Sequence, residues 1–149
     1  MGTLQSFEEI EAWQRARELA REIHTISAQG MFSKDFGLRD QIRKASVSIM
    51  SNIAEGFDRG GTNEFLQFLS MAKGSASEVR SHLCVAHDQG YIDQETFERI
   101  SAQAAEIGRM VGRLMSYLRS TKIRGTKYKP ETRNPKPETR NPKLETNRW

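Results

Sequence analysis

The chain has 149 residues, of which 36% are hydrophobic, and a mean hydropathy of −0.69. That is one domain's worth of sequence with part of it outside any core, and no stretch approaches the roughly 20 apolar residues of a membrane span. Cys84 is the only cysteine, which excludes an intrachain disulfide and fits a reducing compartment. The formal charge of +4 is unevenly placed: residues 122–149 hold nine Lys/Arg against three Glu, or +6, and the rest holds 14 basic and 16 acidic side chains, or −2, which excludes a strongly basic folded part.

The opening "MGTLQSFEEIEAW" has no basic segment followed by an apolar run, so a soluble protein that stays in the cytoplasm is expected. A first helix is predicted over about 7–28. Ser6 with Glu9 three residues on reads as a capping box, and Ile10, Trp13, Ala16, Ala20 and Ile23 form the apolar stripe, with Leu19 and Ile26 at its edge. "AQGMFSKDFG" interrupts it.

The second helix is predicted over about 36–55, with Leu38, Ile42, Ala45, Ile49 and Ile53 on its core face and Gly56 as C-cap. At about 100° per residue, Val47, Met50 and Ala54 fall on nearly the opposite side, so this helix is apolar twice over. Ser48, Ser51, Asn52 and Glu55 recur at i, i+3, i+4 and i+7 and share one flank. Glu55, unfavourably placed at a helix C-terminus, requires a basic partner, for which Arg39, Arg43, Lys73 and Arg80 are the candidates. Asn52 is expected to satisfy backbone groups near the following turn.

"FDRGGTN" is that turn. Thr62 caps a third predicted helix, about 63–89, whose stripe is Phe65, Leu69, Ala72, Ala76, Val79 and Leu83 and which Gly90 ends. Asp93 caps the fourth, about 94–120, in which Phe97, Ile100, Ala104, Ile107, Val111, Leu114 and Leu118 alternate spacings of 3 and 4. No segment has a strand period. The expected fold is all-α: an up-down antiparallel four-helix bundle over residues 1–120.

The third helix carries a second stripe, Ser70, Gly74, Ser77 and Ser81, and the fourth carries Ser101, Ala105, Gly108 and Gly112 at the same spacing. Such residues are either tolerated on a solvated face or mark a face against which another helix packs closely. Mid-helix glycine costs about 1 kcal/mol relative to alanine. Two such stripes and a two-sided second helix favour a homo-oligomer, with Val47, Met50, Ala54, Ser70, Gly74, Ser77, Gly108 and Gly112 as interface candidates.

Residues 121–149 form a separate Pro-rich basic segment, in which "KPETRNP" at 129–135 recurs at 136–142 and "KLETNRW" follows as a degraded copy. Disorder or extended chain is expected there, either as the product of a short duplication or as a basic arm for nucleic acid.

Chemical signals are sparse. Glu78 and His82 share a face, but two ligands do not define a metal site; His24 and His87 stand apart, and Cys84 reads as an inert buried thiol. Ser75 and Glu78 lack the matched base and oxyanion site of a serine nucleophile, and "DRGGTNEF" lacks the lysine and preceding strand of a phosphate loop. No enzymatic activity, cofactor or metal is expected.

Taken together, "FEEIEAWQRARELAREI", "GLRDQIRKASVSIMSNIAEGFDRG", "EFLQFLSMAKGSASEV" and "QGYI" resemble the four-helix-bundle proteins named for the intervening sequences of bacterial 23S rRNA genes, over roughly residues 7–119. That family is similar in fold to the accessory variability determinants of diversity-generating retroelements. The resemblance implies a ring-like homopentamer with no known enzymatic activity, associated with structured RNA or DNA. It places Gln41, Arg43, Ser48, Ser51, Asn52, Glu55 and Gly56 in one recognisable block and Gly74, Ser75 and Glu78 in a second. Met50 stands where the family often has proline, and the repeated tail has no counterpart.

Two functions therefore compete. One is a nucleic-acid-associated oligomer using Arg39, Arg43, Lys44, Arg59, Lys73 and Arg80. The other is a protein-interaction scaffold, such as an accessory subunit of a reverse transcriptase or another mobile-element protein.

Overall fold

A computed structural model describes residues 4–124, with side chains described through Thr121. Among the described residues the chain divides into two units, with the boundary between Met115 and Ser116. The repeated tail, and the expectation of disorder attached to it, lies outside the described residues.

Four α-helices carry the fold: α1 (Glu11–Ser27), α2 (Phe36–Arg59), α3 (Thr62–Asp88) and α4 (Gln94–Arg124). Short 3₁₀ turns at Phe7–Glu9 and Gly30–Lys34 precede α1 and α2, and there is no strand among the described residues. The first unit is the expected antiparallel four-helix bundle. Its centre is lined by Leu19, Ile23, Ile42, Ile49, Leu69, Leu83, Ile100 and Ile107, each at most 2% exposed, so the apolar stripes do face one another. Leu19 belongs to this centre and not to the edge of the first stripe. Phe32 in the α1–α2 connection is also fully buried, stacked on Tyr91 at 5.4 Å.

The helix starts follow local chemistry in two cases. Asp93 Oδ1 accepts from the Thr96 N–H at 2.8 Å, as its position before α4 implied, and the bond holds its carboxyl below the usual carboxylate range. Asp35 caps α2 through Leu38 N–H at 3.1 Å and with its other oxygen accepts from the Tyr91 hydroxyl at 2.9 Å, so one carboxylate joins the α3–α4 turn to the start of α2. That hydrogen bond pushes the Tyr91 phenol pKa up.

Elsewhere the boundaries differ from expectation. The Ser6 hydroxyl caps the 3₁₀ turn through Glu8 N–H, Glu9 reaches back to Gln5 N–H, and Ile10 is extended, so α1 proper begins at Glu11, about four residues later than the capping box suggests. Thr62 is the first residue of α3 and Gly61 the N-cap, without a side-chain cap bond.

The larger correction concerns α2, which continues one turn past Glu55 and ends at Gly60, in the left-handed region with φ 85°. Gly56 is therefore not a cap. It is a buried residue in the last turn of α2, and a Cβ placed there would lie 2.6 Å from Phe68 Cβ and 3.0 Å from Phe65 Cδ1. Its missing side chain lets α3 cross α2 closely at the turn, where Phe57 and Phe65 also meet edge to face at 5.9 Å.

Candidate nucleic-acid interface

The polar flank of α2 splits in two. Ser48 Oγ lies 2.9 Å from Ser75 Oγ of α3, and Asn52 Nδ2 donates to the Ser48 carbonyl and hydroxyl at 2.9 and 3.0 Å. These half-buried groups satisfy one another across the α2–α3 seam, so Asn52 binds its own helix one turn back and not the turn ahead. Ser51, Glu55 and Glu78 are exposed. Glu55 finds its cation in Arg59 on its own helix, at 2.8 Å, because α2 is long enough to contain both; none of the four partners considered from sequence is used.

The six basic residues singled out from sequence do different things. Arg43 donates from Nε to Ser27 Oγ at 2.7 Å and from its terminal nitrogen to the His24 carbonyl at 3.4 Å. It thereby sets a positive charge on the open carbonyl end of α1. Arg39 pairs with Asp40, donates to the Ser33 carbonyl at 3.1 Å and lies over the Phe36 ring at 4.8 Å. Arg59 pairs with Glu55 and covers Phe68 at 5.0 Å. These three make polar and ring contacts within the chain. Lys44 is exposed on α2.

Lys73 and Arg80, like Lys44, are exposed without an acidic partner among the described residues, and both lie on α3. They line a groove of about 270 Å³ between α3 and α4, together with Arg109. Its floor is Ala76, Ser77, Ala104, Ala105, Gly108 and Gly112, with no side chain longer than serine. The second stripes of α3 and α4 thus meet, in part, in one place. The Lys73 chain lies along Gly112, whose added Cβ would sit 3.7 Å from Nζ, while a Cβ at Gly108 or Gly74 would meet nothing within 4 Å.

Arg109 was not singled out from sequence. Its position beside Gly108 on the small-residue stripe was the available signal. Glu106 accepts from both Arg113 (3.1 Å) and Arg109 (2.9 Å), and these hydrogen bonds, Arg113 first, hold its carboxyl below the usual range. Arg109 therefore stands between Glu106 and the groove.

The remaining interface candidates are mixed. Val47 is 40% exposed, Met50, Ala54 and Ser70 are half-buried, and Gly74 is exposed. Met31, Phe36, Met71 and Val85 are further large apolar residues in water. Cys84 is exposed, contrary to the expectation of a buried thiol, because it lies on the Lys73–Ser77–Arg80 side of α3 and not on the core stripe. His24 bonds the Ala20 carbonyl at 2.8 Å, His87 stacks on Phe97 at 4.7 Å, and the half-buried His82 leaves Nδ1 without a partner among the described residues. No group of three or more His, Cys, Asp or Glu among the described residues is placed to hold a metal ion, and no described helix is long and apolar enough to cross a membrane.

Comparison with known proteins supplies a family but no activity. No curated protein matches the sequence. Among solved structures, the crystal structure of a protein of unknown function from the S23 ribosomal protein family of Bacteroides thetaiotaomicron superposes with a TM-score of 0.65 at 23% identity, covering 70% of this chain and 97% of that one, which is a likeness of fold. The family model described as 23S rRNA-intervening sequence protein matches residues 8–113, nearly the whole helical part, and the chain belongs to that family.

Proposed function

We propose that the protein is a non-enzymatic, homo-oligomeric helical bundle that binds RNA. The observation that carries the reading is the pair Lys73 and Arg80, two cations without an acidic partner on an open groove, in a folded part whose overall charge is −2. Exposed cations that are not spent on internal ion pairs are what a phosphate-binding surface needs, and clustering matters more than the total. The family's link to rRNA genes makes RNA the first polyanion to test. Self-association, pentameric by the family resemblance, repeats the groove around the assembly and covers apolar residues such as Val47.

The test is a titration of full-length protein into a labelled structured RNA at several salt concentrations. Binding that weakens linearly in log salt supports the reading, and no binding to RNA at 50 mM salt removes it. Exposed Met31, Phe36, Met71 and Val85 favour a second reading, a scaffold for a reverse transcriptase or another mobile-element protein, to which failure of the RNA titration would lead.

A further inference from the structure

We infer that the α3–α4 groove is a track for a single strand of nucleic acid, held by its phosphates and read without regard to base; this rests on the RNA-binding reading and specifies its site and ligand form. Three features carry it. First, the cations are staggered along the groove and alternate between its walls. Lys73 lies level with Gly112. From that level, three residues back along α4 lead to Arg109, about 4.5 Å of axial rise, and seven forward along the antiparallel α3 lead to Arg80, about 10.5 Å. Lys73 and Arg80, unpaired, thus stand about 10.5 Å apart on one wall, with Arg109, which is paired with Glu106, between them on the other, a span on the scale of a few phosphates of an extended strand.

Second, the floor is backbone, methyl groups and the one hydroxyl of Ser77. At Gly108 and Gly112 nothing stands between the helix surface and whatever enters, except the Lys73 chain lying along Gly112. A phosphate can therefore sit low between cations on both sides. The groove between two packed helices, whose axes lie about 8–10 Å apart, is narrower than a duplex and suits one sugar–phosphate backbone. Third, no lining residue is aromatic, so the groove lacks the stacking platform that many single-strand binders add to a basic groove, and phosphate contacts alone are left to hold the strand. Serine 77 is the single neutral polar side chain lining it, which suits a backbone contact and not a base code. Arg109 is shared with Glu106, so it offers the strand only the donors that this carboxylate does not occupy.

The decisive variant changes shape and not charge. Gly108→Leu fills the groove from its floor, where an added Cβ meets nothing within 4 Å, and it raises helix propensity; circular dichroism checks that the fold is retained. Ala102→Leu, exposed on α4 and outside the groove, is the control of equal bulk. Full-length protein is titrated by fluorescence anisotropy into a labelled 20-nucleotide oligo(U), an oligo(A) of the same length and a 20-base-pair RNA duplex, with circular dichroism and light scattering on every variant.

The expected result is that oligo(U) and oligo(A) bind alike and more tightly than duplex. Gly108→Leu weakens strand binding at least tenfold, Ala102→Leu leaves it unchanged, and Lys73→Gln with Arg80→Gln lowers the log–log salt slope by about 1.4, two phosphates at roughly 0.7 each. Strand binding that survives Gly108→Leu intact, or duplex binding as tight as strand binding, overturns the track while leaving RNA binding in place. Absence of binding to all three probes at 50 mM salt removes the RNA reading itself. Groove-dependent binding of poly-glutamate without binding of RNA also overturns the track and points to an acidic protein partner.

Discussion

The hydroxyls of Ser48 and Ser75 meet at 2.9 Å across the seam between α2 and α3, and Asn52 donates to the first of them from one turn along α2. Because three half-buried polar groups satisfy one another, removing one strands the others. Ser48→Ala is expected to destabilise by about 1–2 kcal/mol, since both partners lose a bond. Ser75→Ala should do so by less, and the double variant by clearly less than the sum. Urea unfolding of the four proteins measures the coupling, expected at about 0.5 kcal/mol or more; strict additivity would mean the hydroxyls do not interact.

Gly56→Ala is expected to be among the most damaging single changes in the chain. The new methyl would sit 2.6 Å from Phe68 Cβ, an atom fixed to the α3 backbone and unable to swing away. Overpacking of this kind costs about 1–3 kcal/mol or more, a fall in Tm of several degrees for a domain of this size. Gly37→Ala, on the exposed first turn of the same helix with only Asp35 Oδ1 nearby at 3.9 Å, should instead be neutral or stabilising. Thermal melts that rank the two variants in reverse would contradict the close crossing.

Glu22 of α1 is bonded to Arg99 and to Gln103 of α4. Burial alone would raise its pKa, but the hydrogen bonds from Arg99 and Gln103 and the Arg99 charge together outweigh it, and the pKa is lowered. A carboxylate depressed in the folded state contributes stability above its unfolded pKa of about 4.3 and loses it as pH falls through the lower folded value. Glu22→Gln should therefore cost about 0.2–1 kcal/mol at pH 7, the range for a partly exposed pair, and the difference from the parent should shrink as pH falls below the unfolded pKa and the carboxylate is protonated. Equal differences at pH 7 and below that pKa would show that only packing was lost.

Self-association predicts a mass in light scattering several times the 17.0 kDa of one chain. Val47→Glu places a charge on a residue already 40% exposed, so the fold tolerates it while an interface built on Val47, Met50 and Ala54 does not. The expected outcome is a smaller assembly with unchanged helicity. A parent protein that is monomeric at micromolar concentration would end the oligomer proposal.

Deletion of residues 125–149 should shift Tm by less than about 3 °C, well under 1 kcal/mol for a domain of this size. All four prolines of the chain fall in that segment, and it contains few apolar residues to bury. A larger fall would show that the segment packs on the helices.

Much of the architecture was legible in the residues themselves. The stripe from Phe65 to Leu83, the 3–4 alternation from Ile100 to Val111, the Asp93 cap and the stop near Gly90 all act within a few residues of chain, where helix periodicity and capping chemistry are decided. The family blocks were equally local. What stayed hidden depends on how one helix is rotated and slid against the next. Gly56 looks like a C-cap from its neighbours along the chain, but Phe65 and Phe68 across the seam make it a contact point. Arg43 and Lys73 are alike as letters, yet one is held by Ser27 and the other stands open beside Gly112. Register between helices is a property of the packed core as a whole, so only the tertiary structure could separate the arginines that hold the bundle from the cations that line its groove.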